Sequence, residues 1–414
     1  MVVGDGAREH AFVWKLAQSP LVQIVFCAPG NGGTTLEPKC RNVEIASDDV
    51  GALAKFAEQE KIDLTVVGTE KSLIDGIVDR WSSELLICGP KASAAWLEGS
   101  KIFAKGTMNR FGIPTAPYHP FSTRDDAHLW LLSQPKDKPW VVKADGLTGG
   151  KGVTVCDNKE QTIDAIVNLR NFREAGQRFL VEERLHGREA SLFLFCTKIG
   201  QVIPFVTAQD YKCAFDGDVG PNTGGMGSYS PASHLTPKII DEVIMKVQPM
   251  VLNLGFAGFL YVGLMLTDQG WKVLEFNVRM GNPETQVVLR RLETDLLHLL
   301  FTAMGGGTWD KPLVWNNRPV VSVEMTSGGY PDHYRTGEVI RGLDLIESTE
   351  PAGVKIFHGG TRREGDKILT NGGRVLSVTA LGPNLPTARD RAYAAVDQIS
   401  WRGEAHRRDI AFGI

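Results

Sequence analysis

Short apolar runs alternate with helical patterns over the first hundred residues. "VVGDG" (2–6), "IVFCAPG" (24–30), "NVEIA" (42–46), "DLTVVG" (63–68) and "LLICG" (85–89) read as strands. Between them, "AREHAFVWKLAQS" and stretches near 49–60 and 72–82 place apolar residues at helical spacing. Strand, glycine turn and helix, repeated, predict an open, doubly wound parallel sheet with crossover helices. Such sheets bind ligands at the carboxyl ends of their strands, where "GDG", "APGNGG" and "VGTE" lie.

The pattern changes near residue 100. A helix is expected over 100–112, closed by Gly112, then the extended, proline-punctuated "IPTAPYHPF" and a helix near 123–133. "PWVVKAD" (139–145), "GVTVC" and the runs at 178–185, 189–196 and 201–206 read as strands. Residues 208–234 read as one long polar, glycine-rich loop, a length usually tied to function. A helix over 236–254, strands over 257–267 and 271–276, and a helix over 284–303 follow. From about 318 three β-rich runs and one amphipathic helix (386–399) form a small α+β unit. The expected division is 1–100, 101–312 with a subdomain at about 114–186, and 313–414.

Composition narrows the function classes. Of 414 residues, 43% are hydrophobic and 22% charged, which is ordinary for a globular chain. The net charge of −3 is spread along the chain, so nucleic acid is not expected as a partner. No run approaches a membrane span or has the form of a signal peptide, and a reducing cytoplasm is the expectation. The six cysteines form no C-x-x-C pair, and several sit in apolar runs as buried reduced thiols would.

Candidate chemistry begins with "KADGLTGGKGVTV" (143–155). It is not a Walker A loop: Asp145 stands where the first glycine belongs, and Gly152 where Ser or Thr belongs. A strand follows it instead of a helix. A glycine loop between antiparallel strands is most often just a tight turn. The other reading is a flap whose backbone N–H groups close on phosphate oxygens. Lys143, at the end of an apolar strand, and Lys105, on the preceding helix, favour a triphosphate. In "KVLEFNVRMGNPETQ" (272–286), Glu275 and Asn277 lie two apart and share a strand face, as oxygen ligands for Mg²⁺. Arg279 continues that face if the strand extends so far, placed for a carboxylate or phosphoryl group. "VEERL" (181–185) suits an adenine-pairing backbone with Glu189 on the ribose, but a plain surface strand fits equally well. The mixture of Lys, Asp and Gly over 210–231 reads as a floppy loop or one that orders over a small polar substrate.

These motifs, in this order, resemble the phosphoribosylamine–glycine ligase family, ATP-grasp enzymes of purine biosynthesis. The resemblance runs the whole length. It is carried by "GDGAREHA", "APGNGGT", "LEGSKIFAK", "KADGLTGGKGV", "VEERLHGREAS", "GPNTGGMGSYSP", "EFNVRMGNPETQ", "SGGYPDHYRTG" and "TNGGRVLSVTALG". It implies a doubly wound amino-terminal domain, ATP-grasp central domains and a small α+β carboxy-terminal domain. It implies that ATP phosphorylates glycine and that 5-phosphoribosylamine then attacks. Carried over by position, Lys105, Lys143, Gly149, Gly150, Lys151 and Gly152 would hold ATP phosphates. Glu182, Glu183 and Leu185 would form the adenine hinge, with Glu189 on the ribose. Glu275 and Asn277 would bind Mg²⁺, or Mn²⁺ in its place. Arg279, Lys212 and Asp210 would be catalytic. Asn222, Thr223, Gly224, Gly225, Met226 and Pro283 would lie by the substrates. Gly6, Arg8 and Glu9, with Asn31, Gly32 and Gly33, would take the ribosylamine phosphate. A monomer or weak dimer fits.

The chain departs from the family pattern at Ala7, Thr69, Tyr211, Cys213, Met280 and Asn282. Asn282 for aspartate and Cys213 for arginine remove charges beside the expected glycine site. Those departures leave room for a related ATP-grasp ligase or carboxylase acting on another acid. A nucleotide binder without catalysis would not require Glu275, Asn277, Arg279 and Lys143 together.

Overall fold

The computed structural model describes residues 1–81, 84–349 and 353–414. Its first sheet has five parallel strands in the order Cys40–Asn42, Val25–Pro29, Val2–Gly4, Leu64–Val67, Leu86–Cys88. Both faces are covered, among others by the helices Ala7–Ala17 and Val50–Gln59, as the near-continuous apolar strands require. Strands are added toward one edge from Val2–Gly4 to Cys40–Asn42 and toward the other from Leu64–Val67 on, all of them parallel. The junction between Val2–Gly4 and Leu64–Val67 is the switch point of a doubly wound sheet, as expected from sequence.

Two antiparallel sheets follow. Tyr118–Phe121, Phe179–Glu183, Trp140–Ala144 and Val153–Cys156 form one, backed by the helices Arg124–Leu132 and Lys159–Asn168 around Trp140 and Phe179. Val202–Pro204, Arg188–Cys196, Gly258–Thr267 and Gly270–Asn277 form the other. Helix Pro237–Leu254 packs on that sheet's apolar side through Val243, Val247, Met250 and Val251. Thr236 caps its start by accepting from Ile239 N–H, a contact worth about 1 kcal/mol, and Gly255 ends it in the left-handed conformation.

Three expectations change. The region 100–112 holds one helix, Lys101–Arg110, but a second, Ala92–Gly99, precedes it directly. The helix expected over 284–303 is two, Glu284–Arg291 and Leu296–Met304, because Asp295 caps a new start by accepting from His298 N–H. The supposed loop 208–234 is threaded with short strands. Cys213–Phe215 pairs with Val219–Asn222, while Gln209–Asp210 and Gly227–Ser230 join the carboxy-terminal sheet. That sheet runs Gln209–Asp210, Gly227–Ser230, Val320–Ser327, Arg374–Leu381, Val354–His358, under helix Leu385–Val396. Short strands rich in glycine carry little apolar periodicity, so the pattern alone could not separate them from loop.

Candidate active site

A cavity of about 700 Å³ opens between the two antiparallel sheets and is closed by elements of the other two units. Its phosphate-like side is built on Lys105 and Lys143. Glu182 lies between them: its carboxylate is 2.6 Å from Lys105 Nζ and 2.5 Å from Lys143 Nζ. All three are buried, so neither ammonium is unpaired, as burial of charge demands. Burial pulls Lys105 down to about 8 against the opposing pull of Glu182. Burial acts to raise Glu182, but Lys143 and Lys105 outweigh it and hold the carboxyl low. Asp145, which displaced the Walker glycine, accepts from Ser100 Oγ and Ile102 N–H and so fixes the start of the Lys105 helix.

The flap lies between antiparallel Trp140–Ala144 and Val153–Cys156. Gly149 and Gly150 line the cavity at φ +60° and +82°, values that suit glycine. Lys151 and Gly152 make local bonds here. Their N–H groups are taken by Thr148, and the Lys151 ammonium donates to the Pro331 carbonyl. The hinge assignment is also narrowed. Glu182 and Glu183 sit on a strand flanked on both sides, Glu183 N–H donates to Pro117 O, and its carboxylate pairs with Lys138. Arg184 and Leu185, past the strand end and lining the cavity, offer backbone for a base. Glu189 lines the cavity nearby.

Glu275 and Asn277 face the cavity from Gly270–Asn277, opposite Gly263 and Tyr261. Leu274 has no counterpart across the strand pair, and its carbonyl accepts from Lys143. The bulge re-aims Glu275 toward the lysines. Burial acts to raise Glu275, but Lys212, Lys101, Lys143 and Arg279 hold it down at about 2. The surrounding donors and acceptors orient the Asn277 amide so that its NH₂ donates to Phe276 O at 3.2 Å and Glu98 at 3.1 Å. An ionised carboxylate and an amide oxygen on one face fit a hard cation that takes its other ligands from phosphates and water. Among the described residues no cluster of three or more His, Cys, Asp or Glu forms a protein cage for a metal.

The strand ends before Arg279, yet Arg279 reaches the cavity. Its guanidinium is set by Glu98 at 2.6 Å and Glu70 at 3.3 Å, two carboxylates not singled out from sequence. Glu98 also accepts Val278 N–H, and burial pushes it up to about 7. It sits on helix Ala92–Gly99 among buried residues. Lys212 and Asp210 stand 3.4 Å apart. Burial and then Glu284 push Asp210 up, and its Oδ1 is buried without a partner. Burial alone would lower Lys212, but Tyr261, Asp210, Glu275 and Glu189 keep it protonated. Asn222, Thr223 and Gly224 line the cavity.

Of the amino-terminal candidates, the structure brings one to the cavity. Glu9 fills the switch-point crevice: it accepts from Gly6 N–H and Arg8 Nε, and a Cβ on Gly4 or Gly68 would strike it. A carboxylate there opposes a phosphate, and Gly6 has no free N–H to offer. Arg8 alone of the three lines the cavity. Asn31, Gly32 and Gly33 turn away from it. Asn31 bonds the Asp5 and His358 carbonyls, Gly32 N–H donates to Thr361, and a Cβ on Gly33 would strike His358 and His10. Met226 is buried, with its N–H on Tyr211 and its C=O on Glu324. Gly225 donates to Thr223 Oγ1 and packs on Pro283, whose carbonyl accepts from Ser228. These residues shape the wall without facing the cavity. Asn282 and Cys213 both line it; Asn282 Oδ1 accepts from Gln286.

Known proteins bear on this arrangement. Residues 1–98, 99–285 and 320–413 match the N domain, the ATP-grasp (A) domain and the C domain of phosphoribosylglycinamide synthetase. A phosphoribosylamine–glycine ligase of Allochromatium vinosum is 48% identical, covering 99% of this chain and 97% of its own length. That of Escherichia coli is 46% identical, covering 100% and 97%. The crystal structure of a phosphoribosylamine–glycine ligase from Thermotoga maritima superposes with a TM-score of 0.83 at 32% identity, covering 99% of each chain. A biotin carboxylase from Campylobacter jejuni superposes at 0.75 with 14% identity, over 99% of this chain and 93% of its own, which is a likeness of fold. With all three family domains in order and relatives nearly half identical throughout, the chain belongs to the phosphoribosylglycinamide synthetase family.

Proposed function

We propose that this chain is an ATP-dependent ligase that joins glycine to 5-phosphoribosylamine, giving glycinamide ribonucleotide, ADP and phosphate. Family membership supports the reaction. The observation that carries it is the ionised Glu275 among Lys143, Lys212, Lys101 and Arg279 in one cavity. A carboxylate is a poor electrophile. Transfer of the terminal phosphoryl group of ATP to the glycine carboxylate oxygen releases ADP and makes an acyl phosphate. The amine nitrogen attacks its carbonyl carbon, the C–N bond forms, phosphate leaves, and the nitrogen gives up a proton. No protein nucleophile is needed; charge neutralisation and placement suffice.

Lys105, Lys143, Gly149 and Gly150 hold the nucleotide phosphates, with Arg184 and Leu185 at the base and Glu189 at the ribose. Glu275 and Asn277 would hold Mg²⁺, or Mn²⁺, which would supply positive charge to neutralise the phosphates. Arg279 and Lys212 face the transferred group. The unpartnered Oδ1 of Asp210 accepts an N–H from the amino group of glycine or the attacking amine. The working division is 1–100, 101–312 and 313–414, with 209–230 lending strands to the last. Among the described residues no helix is long and apolar enough to cross a membrane. A cytoplasmic monomer or weak dimer is the reading.

The test is ADP release with Mg²⁺ and ATP, with and without glycine, while phosphoribosylamine is generated in the same tube. Release that needs both, with amide product, is the expected result. Release with another small acid and none with glycine would overturn the substrate assignment.

A further inference from the structure

Two side chains of the carboxy-terminal sheet and its loop grip one peptide of the cavity wall. Gly224 N–H donates to Tyr330 Oη at 3.1 Å, and its C=O accepts from Arg374 Nη1. The same Nη1 reaches the Asn282 carbonyl at 2.6 Å and the Gly225 carbonyl at 3.4 Å. One guanidinium therefore ties the 222–226 turn to the 281–284 turn, which carries Asn282 and Glu284. The two grips share a base: a Cβ on Gly373 would lie 2.4 Å from the Tyr330 ring, so the ring rests on the backbone just before Arg374. The fit at the gripped residue is equally close. A Cβ on Gly224 would lie 2.8 Å from Arg374 Nη2 and 2.9 Å from Cζ, so the guanidinium lies against its Cα.

Asp210 abuts this turn, because a Cβ on Gly225 would come 2.6 Å from its Oδ1, the unpartnered acceptor. Lys105, Lys143 and Glu182 sit on other sheets and helices and do not touch the gripping residues, while the flap's Gly150 packs on the turn, where an added Cβ would lie 3.0 Å from Thr223 O. We propose that Tyr330 and Arg374 are positioning residues that set the glycine-and-amine side of the site by holding both backbone groups of Gly224. The inference rests on the ligase reading for its kinetic consequence, and on geometry alone for its structural one.

The experiment uses Tyr330→Phe, Arg374→Gln and Gly224→Ala in the full chain. Gly224→Ala keeps both gripping residues but displaces the guanidinium, a flexible side-chain end, so it folds even where Arg374→Gln fails. Deuterium exchange of peptides covering 222–226 is expected to speed up by about fivefold or more, the factor one hydrogen bond's net contribution sets. At saturating ATP, kcat/KM for glycine is expected to fall by about fivefold or more, with the dissociation constant for a non-hydrolysable ATP analogue within about twofold of wild type. Unchanged exchange at 222–226 in Tyr330→Phe and Gly224→Ala overturns the proposal whatever the enzyme's substrate. So does ATP-analogue binding that weakens as much as kcat/KM falls. A wild-type enzyme without glycine-dependent turnover would refute the ligase reading instead, and the exchange data would still decide the grip.

Discussion

Glu182 is the only carboxylate that touches both Lys105 and Lys143 in the described structure, and Glu182→Gln removes it with little change in shape. Each lysine keeps one neutral acceptor: Thr115 Oγ1 at 2.6 Å for Lys105, and the Leu274 carbonyl at 3.3 Å for Lys143. Two buried ammonium groups then lose the carboxylate they share, and Glu275 opposes their charge from farther away. Breaking a buried pair from one side costs about 3–5 kcal/mol, and here one side serves two partners. Without nucleotide, the melting midpoint is expected to fall by roughly 5–10 °C. Phosphates of a non-hydrolysable ATP analogue would replace the missing charge, so the rise in midpoint on adding it is larger in the variant than in wild type. The pH dependence has a fixed sign. Lys105 already titrates near 8 because of burial, and losing Glu182 lowers it further. The penalty for a charged lysine is present below its folded pKa and is relieved as pH rises through it. The deficit therefore shrinks as pH rises toward about 8, where the wild-type lysine also loses its proton, and is constant above it. Thermal scans by fluorescence, with and without the analogue, read all three effects. A fall of less than about 2 °C, or an analogue-induced rise no greater than in wild type, would refute the reasoning.

Two further outcomes follow from the same geometry. Glu275→Gln removes the ionised ligand that four cations hold down at about 2, and is expected to cut kcat by about a hundredfold or more with unchanged circular dichroism; near-normal ADP formation would remove Glu275 from the metal site. Glu324, pushed up to about 7 by burial from an ordinary 4.5, keeps its proton while the unfolded chain has lost its own, so stability falls as pH rises from about 4.5 to 7; Glu324→Gln should abolish that slope and gain up to about 3 kcal/mol at pH 8, and equal slopes in denaturant titrations would sink the assignment.

What could be read from sequence depended on how local the signal was. The parallel sheet, the flap between two strands and the Glu275/Asn277 face follow from periodicities of a few residues, and the structure has them. Lys143 drew attention because an unpaired ammonium at a strand end would be costly, but its partner Glu182 lies on a strand far along the chain. No local pattern links them. Glu182 was thus read as hinge backbone when its side chain is the part that reaches the site. The amino-terminal glycines were legible as glycines that something must approach closely. At Gly4 and Gly68 that something is Glu9, and at Gly33 it is His358, neither of them a ligand. A close approach by protein and one by phosphate leave the same mark in sequence. Glu98 and Glu70, which set Arg279, were passed over because charged residues in helices are usually solvated, and only packing reveals these as buried or half-buried.

The strand Gly227–Ser230 pairs with Val320–Ser327, so the turn beside Asp210 gets its final shape from chain made much later. During synthesis the amino-terminal sheet and the flap sheet can close from near neighbours in sequence. The cavity wall built on residues 209–230 waits for the last third of the polypeptide. Until then the backbone from Gln209 through Ser230 offers open strand edges, a template for pairing with other chains. Slow emergence of the last sheet, or a nonsense mutation within it, should therefore appear as aggregation of nascent protein rather than as a soluble enzyme with half its activity.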